Sequence, residues 1–402
     1  MKRLIIDARR AVYSVLLGWI FDAFDAFLIT ILIIDIANEL GFGKIGMGIV
    51  IGLTLAGSGI GGFFFGILAD KIGRKKSLTL SIFTYSFFTL LTGFVRNLWE
   101  LMIVRLLTGF GVGGEWATGM TLVTEFSPPD IRGKIVGIIQ LGWPIGVILA
   151  AIDARFIAPL LGWRGAFYIA ALPGIIIALV VLLVVSESPY WHKKLAKIRR
   201  RQTKELLKLL FVKYKREVVL ALLLDICAMF SYWLFWSFYV NYLREQVGIE
   251  LIKSMEYLIL SQMGAALGYL LYGYIQDAIG RRKAWIVFIN MYGIFIIAYS
   301  FLTHDPVLLL IFAFPLGFST GFWSGFGAIL SEIFPTEVRA TGTGFCFNMG
   351  RTINIVSPII VAYLATVFPD VGWAAIGIAS ITAFLTNAII WRLPETRGKI
   401  LE

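Results

Sequence analysis

Apolar residues in this chain come in long unbroken runs rather than in the alternating or three-to-four-residue patterns of a half-buried surface. Twelve runs of about 20 residues or more lie near 11-36, 45-69, 77-95, 98-123, 134-157, 163-186, 218-242, 254-276, 284-302, 306-330, 340-366 and 372-392. About 20 apolar residues cross roughly 30 Å of hydrocarbon, and a span in lipid satisfies its own backbone only as a helix. The pattern predicts an all-α integral membrane protein with twelve transmembrane helices.

Composition agrees. With 58% hydrophobic and 15% charged residues and a mean hydropathy of +0.83, the chain is too apolar for one soluble core. The first run follows Met1-Lys2-Arg3 and Arg9-Arg10, but it is too long for a signal-peptide core and has no small-residue cleavage site. It is expected to stay as the first span. Cys227 and Cys346 both fall in apolar runs and are expected to pack as small hydrophobes. No Walker loop, dinucleotide fingerprint or metal-spaced His cluster occurs, so neither an enzyme nor a bound cofactor or metal is indicated.

Charge sets the orientation. With both termini on one side of twelve spans, that side holds 28 of the 36 Lys and Arg, and the positive-inside rule makes it cytoplasmic in a plasma-membrane protein. The net charge of +11 therefore follows topology and gives no reason to expect nucleic acid. Much of the excess sits in "WHKKLAKIRRRQTKELLKLLFVKYKR", 191-216, a basic, partly amphipathic stretch expected to lie on the anionic inner leaflet. It divides the chain into 1-190, a linker at 191-217, and 218-402.

The two parts repeat. "GILADKIGRKK", 66-76, superposes on "GYIQDAIGRRK", 273-283, at an offset of 207. The same shift brings Gly57 to Gly264, Gly61 to Gly268, Glu125 to Glu332, Pro128 to Pro335, Arg132 to Arg339 and Gly137 to Gly344. Parallel six-span repeats place a site between the halves near the membrane midplane, where rocking exposes it to alternate sides. The duplication by itself points to transport.

At this level of detail the chain resembles the major facilitator superfamily. "GILADKIGRKK" is similar to that family's loop 2-3 signature, its copy follows span 8, and "RLLTGFGVGGEWA" and "EFSPPDIRGK" match two further motifs. The resemblance implies a cytoplasmic gate built from Gly66, Asp70, Gly73, Arg74, Glu125 and Arg132 with Asp277, Gly280, Arg281, Glu332 and Arg339. Chemistry gives a parallel reading. Gly73 permits a tight turn, while Asp70 is suited to accept from a helix N-terminus or to pair with a base such as Arg132.

Cargo is a question for ionisable groups buried in spans, each costing roughly 2.5 to 3.5 kcal/mol at a helix centre. Asp22 and Asp25 lie near the middle of span 1, three residues apart and on adjoining parts of one face. Two carboxylates that close do not both ionise cheaply, so one is expected to hold a proton, with Arg105 or Arg351 as an alternative partner for either. Glu115 joins them as a proton-coupling candidate. Arg351, near the middle of span 11, stays charged and needs an anion, whether a protein acid or a substrate carboxylate. Asn348 and Asn354 flank it at three residues, and Arg105 offers a second anion contact. Gln140 and Trp143 on span 5, and Tyr232, Trp236 and Tyr239 on one face of span 7, are candidate cavity walls. Asp153 and Arg155 near the outer end of span 5, and Asp225 on span 7, are assigned no function.

"GWIFDAFDAFL" and Gly350-Arg351 resemble the span 1 and span 11 signatures of proton symporters for organic acids. "RGKIVGIIQLGWPIG" and "GEWA" are closer to the sialate/lactate group, and Ala23 stands where the aromatic acid group has Gly. Antiporters of the superfamily carry a fuller Gly and Pro motif on span 5 than Gly142, Pro144 and Gly146 supply. The expected activity is proton symport of a small organic anion, a monocarboxylate such as lactate, pyruvate or a sugar acid, by a monomer in the bilayer. Aromatic acid symport and proton-driven efflux are the alternatives.

Overall fold

Every apolar run that the structure describes becomes helix, because in a low-dielectric slab no other arrangement closes the backbone hydrogen bonds of one segment. The computed structural model describes residues 2–193, 203–245, 251–302, 305–357, 360 and 371–400. In chain order the membrane helices are α1 (Lys2–Leu40), α2 (Lys44–Ile72), α3 (Arg74–Thr92), α4 (Leu98–Phe126), α5 (Arg132–Gln140, resuming at Gly142–Phe156) and α6 (Ala158–Val184). The second set is α7 (Lys215–Glu245), α8 (Leu251–Ile279), α9 (Arg281–Phe301), α10 (Pro306–Ser319, resuming at Trp323–Ile333), α11 (Arg339–Ile353) and α12 (Val371–Arg392). The part of the predicted eleventh span at 358–359 and 361–366 lies outside the described residues.

Eight of the described helices are long and apolar enough to cross a membrane by length and composition alone. Helix α3 falls short because of its Ser and Thr content, and those residues turn inward: Ser77, Ser81, Ser86, Thr89 and Thr92 are all buried. Ser81 donates to the Gly111 carbonyl of α4 at 2.8 Å, so the polar face is satisfied between helices and the lipid face stays apolar.

Close helix pairs are made by glycine, in the same way in both halves. A Cβ on Gly61 of α2 would stand 1.8 Å from the Phe110 carbonyl oxygen of α4, and one on Gly268 of α8 would stand 2.1 Å from that of Phe318 on α10. The backbones touch because no side chain intervenes. Gly73 (φ +108°) and Gly280 (φ +100°) each join two helices through a one-residue turn that L side chains avoid.

Three helices break near mid-membrane: α5 at Leu141, α10 through a 3-10 turn at Thr320–Phe322, and α11 at Asn354. Pro144, three residues beyond the first break, has no N–H for the helical ladder.

The linker also packs on protein. Its described portion forms a helix (Thr203–Lys208) followed by a π-turn (Leu209–Lys213), with Leu206 and Leu210 buried against protein. Phe211 packs on Phe63 of α2 at 6.3 Å and on Phe345 of α11 at 5.0 Å, so it seats on both halves. Lys204, Lys208 and Lys213 remain exposed, which leaves the basic face free while the apolar face meets the seam. Residues 194–202 of the linker lie outside the described residues.

Candidate functional site

The two mid-span acids of α1, Asp22 and Asp25, differ in what donates to them. Asp25 receives Arg105 of α4 through two bonds, Nη1 to Oδ1 at 2.9 Å and Nη2 to Oδ2 at 2.8 Å, and the Thr89 hydroxyl of α3 donates at 2.7 Å. That carboxylate is saturated. Asp22, almost one helical turn earlier and fully buried, has no hydrogen-bond donor on either oxygen. It lies within electrostatic reach of Arg351, Asp25 and Arg105. Glu115 of α4 is likewise buried without donors, close to Gly18 of α1. Three residues of spacing leave the two side chains about 60° apart around the helix axis and almost a turn apart in height, enough for each to meet different neighbours.

Arg351 opens onto a narrow cleft lined also by Trp19, Gln140, Trp143, Tyr232, Trp233, Tyr269, Trp323 and Phe347. Its guanidinium lies 5.6 Å from the centre of the Trp143 ring, a cation–π contact, and it forms no ion pair with a described acid. Trp19 and Trp143 pack at 5.2 Å, Tyr232 meets Trp323 edge-on at 4.9 Å, and the Gln140 amide donates to the Trp323 carbonyl at 3.2 Å. The wall is thus two-faced, with α1 and α5 from one half and α7, α8, α10 and α11 from the other. Gln140 and Trp143 flank the break in α5, Trp323 follows the break in α10, and Arg351 precedes the break in α11, so four lining residues stand beside points where helices bend.

Of the residues singled out from sequence, Arg351, Gln140, Trp143 and Tyr232 come together in this cleft. Trp236 packs on Tyr232 at 5.8 Å, outside the lining, and the Tyr239 side chain lies outside the described residues. Arg105 is committed to Asp25. Asn348 donates to the carbonyls of Gly113 and Gly344, both at 3.1 Å, fastening α11 to α4. Asn354 donates to Ile226 of α7 at 3.3 Å and to Gly350 at 2.7 Å. Both amides are held by helix backbones rather than turned to the cleft, because a buried amide N–H needs an acceptor and the nearest ones are carbonyls of α4, α7 and α11 itself. Trp19, Trp233, Tyr269, Trp323 and Phe347 went unnoticed in the sequence, where an aromatic residue facing a cleft reads like one facing lipid.

At the end of the bundle that bears the loops 2-3 and 8-9, the repeated motifs interlock across the two halves. Glu125 accepts from Arg74 of its own half, Nε and Nη2 both at 3.1 Å, and from Arg339 of the other half at 2.5 Å. The mirror arrangement has Glu332 accepting from Arg281, at 3.1 and 2.8 Å, and from Arg132 across the seam at 2.9 Å. Asp70 takes the N-terminus of α11, from the Ala340 and Thr341 amides at 3.3 and 2.8 Å. Asp277 takes that of α5, from Gly133 and Lys134 at 3.0 and 2.8 Å. Carboxylates suit helix N-termini, where four N–H groups lack partners. Asp70 also pairs with Arg74 at 3.2 Å, and Arg132, the alternative base, goes to Glu332 instead. Gly66 admits the Ala340 carbonyl of α11, whose oxygen would lie 2.7 Å from any Cβ there.

Two further pieces complete the latch. Glu187 caps α3 through the Arg74 and Lys75 amides while Ser188 donates to Glu125; Glu395 caps α9 through the Arg281 and Arg282 amides while Thr396 donates to Glu332 at 2.5 Å. Partial burial pushes the Glu395 carboxyl up, but donation from the Arg281, Arg282, Arg397 and Thr396 amides outweighs it and holds the group below the usual carboxylate range. "SESP", 186-189, and "PETR", 394-397, were the available signal. They repeat at an offset of 208 rather than 207, so a gap-free shift steps past them.

A twelve-pass helical bundle, duplicated by six and holding a polar-tipped cleft between its halves, is the build of a membrane transporter. The chain belongs to the Major Facilitator Superfamily, whose family model matches residues 15–255 and again 221–401. It is 32% identical over 400 residues to a probable 4-methylmuconolactone transporter of Cupriavidus pinatubonensis, covering 96% of this chain and 90% of the relative. It is 28% identical over 360 residues to the sialic acid transporter NanX of Escherichia coli, covering 89% and 87%. Its fold matches the crystallised proton:xylose symporter XylE bound to 6-bromo-6-deoxy-D-glucose with a TM-score of 0.82, covering 98% of this chain and 97% of that one at 18% identity. The protein is a multi-pass transporter of small organic compounds and not an enzyme.

Proposed function

We propose that this transporter is a proton-coupled symporter for a small organic anion, a monocarboxylate such as lactate, pyruvate or a sugar acid, acting by alternating access. The observation that carries this reading is the contrast between the two buried arginines. Arg105 is neutralised by Asp25, whereas Arg351 faces the cleft with an aromatic ring and no acid against it. A buried guanidinium in that state offers a substrate carboxylate two parallel hydrogen bonds.

Asp22 is the proton site on this reading. Enclosed without a donor, its ionised form costs several kcal/mol, which one bound proton removes. With the substrate on Arg351 and the proton on Asp22, the midplane is near neutral and the halves pass one another without dragging a bare charge through apolar surroundings. Glu115, one turn further towards the latch, is the next station for that proton. The latched end is the cytoplasmic gate, shut here, with both termini on that side in the cell membrane. A monomer contains the whole pathway, since the cleft and the latch are built from one chain.

Seven of the nine lining residues are aromatic, which favours a second reading in which the acid is itself flat and unsaturated. The 4-methylmuconolactone relative agrees with that reading, and the sialic acid relative with the first.

Proteoliposome uptake of lactate, pyruvate, benzoate, sialate and sugar acids, with and without an imposed pH gradient, tests the proposal. Uptake of one of these acids should alkalinise the outside, Arg351→Lys should abolish its binding, and Asp22→Asn should leave flux that ignores pH. Acidification of the medium during uptake would establish antiport, and normal transport by the Arg351 variant would remove the anion site.

A further inference from the structure

Asp225 of α7 is fully buried, and neither carboxylate oxygen has a hydrogen-bond partner. It stands where two helices meet beside the break in α11. A Cβ built on Gly350 would lie 2.8 Å from the Asp225 Cβ, so only glycine fits, and the aspartate presses on the backbone immediately before Arg351. The next residue of α7, Ile226, accepts from the side chain of Asn354, the residue at which α11 stops being helical. Residues 225 and 226 therefore grip α11 on both sides of the cleft's guanidinium.

The titratable group that faces Asp225 is the Cys346 thiol of α11, whose sulfur donates to the Val218 carbonyl at 3.8 Å. Helix α12 carries no acid or base from Ile376 to Trp391, and α8 carries the phenols of Tyr269 and Tyr272 at this depth. Glu332 of α10 is engaged in the latch, and Lys208 and Lys213 of the linker are exposed. Among the described residues no cation offsets a charge on Asp225. A carboxylate so placed is too costly to keep dry, and it has two remedies: a proton, or water drawn into the α7–α11 seam. The second remedy loosens the grip on the break.

We propose that Asp225 is a second proton-binding site, separate from Asp22, and that its proton positions Arg351 by keeping α7 seated against the broken α11. The protonated acid holds the guanidinium over Trp143. Loss of the proton wets the seam, lets α11 bend at Asn354 and carries Arg351 off the ring. Asp225 is thus a positioning residue whose ligand is a proton. The inference rests on Arg351 being the anion site, but its test requires no transport, so failure of coupled uptake and failure of this idea are read separately.

The full chain in lipid nanodiscs is titrated from acid to alkaline pH by infrared difference spectroscopy and by tryptophan emission. The protonated-carboxyl C=O band should lose one component in Asp225→Asn and a different one in Asp22→Asn, and Asp225→Glu should shift its component rather than remove it. The pH-dependent part of the emission that Trp143→Phe abolishes reports the guanidinium over that ring, and it should also vanish in Asp225→Asn and return in Asp225→Glu. Should the Asn variant not yield folded protein, the Glu variant's shifted band and restored emission change carry the test. Survival of either the band component or the Trp143 response in Asp225→Asn, or in the Glu variant a band that does not move, overturns the proposal.

Discussion

Replacing Arg339 by Gln removes a bond that crosses the seam and, within the second half, the donation from Nε to the Ser331 carbonyl at 2.9 Å, which is lost from the latched and the parted states alike. The crossing contact is Nη1 to the Glu125 carboxylate at 2.5 Å, between side chains with almost no exposure. Glu125 is not orphaned, because Arg74 still donates to both of its oxygens at 3.1 Å and Ser188 donates to one. The cost is therefore that of one hydrogen bond to a charged group, about 2 kcal/mol, rather than the larger penalty of a buried ion left alone. At 1.4 kcal/mol per tenfold, the equilibrium between latched and parted halves should move about 30-fold towards the parted state. Lys76 and Lys283 are exposed and occupy equivalent places in the two repeats. Spin labels on Lys76→Cys and Lys283→Cys, with Cys227 and Cys346 replaced by Ser, report the gap by electron–electron distance measurement. Arg339→Gln should add a longer-distance population, as should Arg132→Gln at the mirror position, and Glu125→Gln should add more. An unchanged distance distribution in Arg339→Gln would refute the view that these crossed pairs hold the halves together.

Asp25→Asn should lower thermal stability by about 3 to 5 kcal/mol because Arg105 is left buried without its anion, whereas Asp22→Asn, which strands nothing, should leave the melting temperature in detergent nearly unchanged. Gly61→Ala should abolish folded expression, since its Cβ would sit 1.8 Å from a backbone carbonyl, while Gly52→Ala, with nothing within 4 Å, should be neutral or stabilising by up to about 1 kcal/mol. The Glu395 carboxyl is held below its ordinary value when folded, so its contribution is present above the unfolded pKa and fades as pH falls through the lower folded one. Hydrogen exchange at the Arg281 and Arg282 amides should accordingly accelerate only in the acid range below the usual carboxylate value, and Glu395→Gln should accelerate it already at pH 7.

The repeated polar residues were legible in the chain, but whom they touch was not. The offset of 207 exposed Asp70, Arg74, Glu125 and Arg132 with their partners in the second half, because duplication leaves equal residues at equal spacing. It did not show that Arg132 passes over Glu125 to reach Glu332, a contact between residues 200 apart. Asn348 and Asn354 looked like ligands for the same reason that Arg351 did, as polar side chains in an apolar span. Backbone carbonyls of α4 and of α11 itself accept from both amides.

The run lengths fixed a twelve-pass helical membrane protein without any coordinates, since the hydrocarbon slab imposes both the length of a span and its helical form on each segment separately. Repetition and motif then supplied the family and the residues of the latch. Pairing was decided only when the helices packed: Asp22 and Asp25 have the same side chain on the same helix, yet one faces Arg105 and the other faces no donor. A span's hydropathy depends on its own residues alone, whereas the state of a buried charge depends on whatever neighbouring helices bring within a few ångströms.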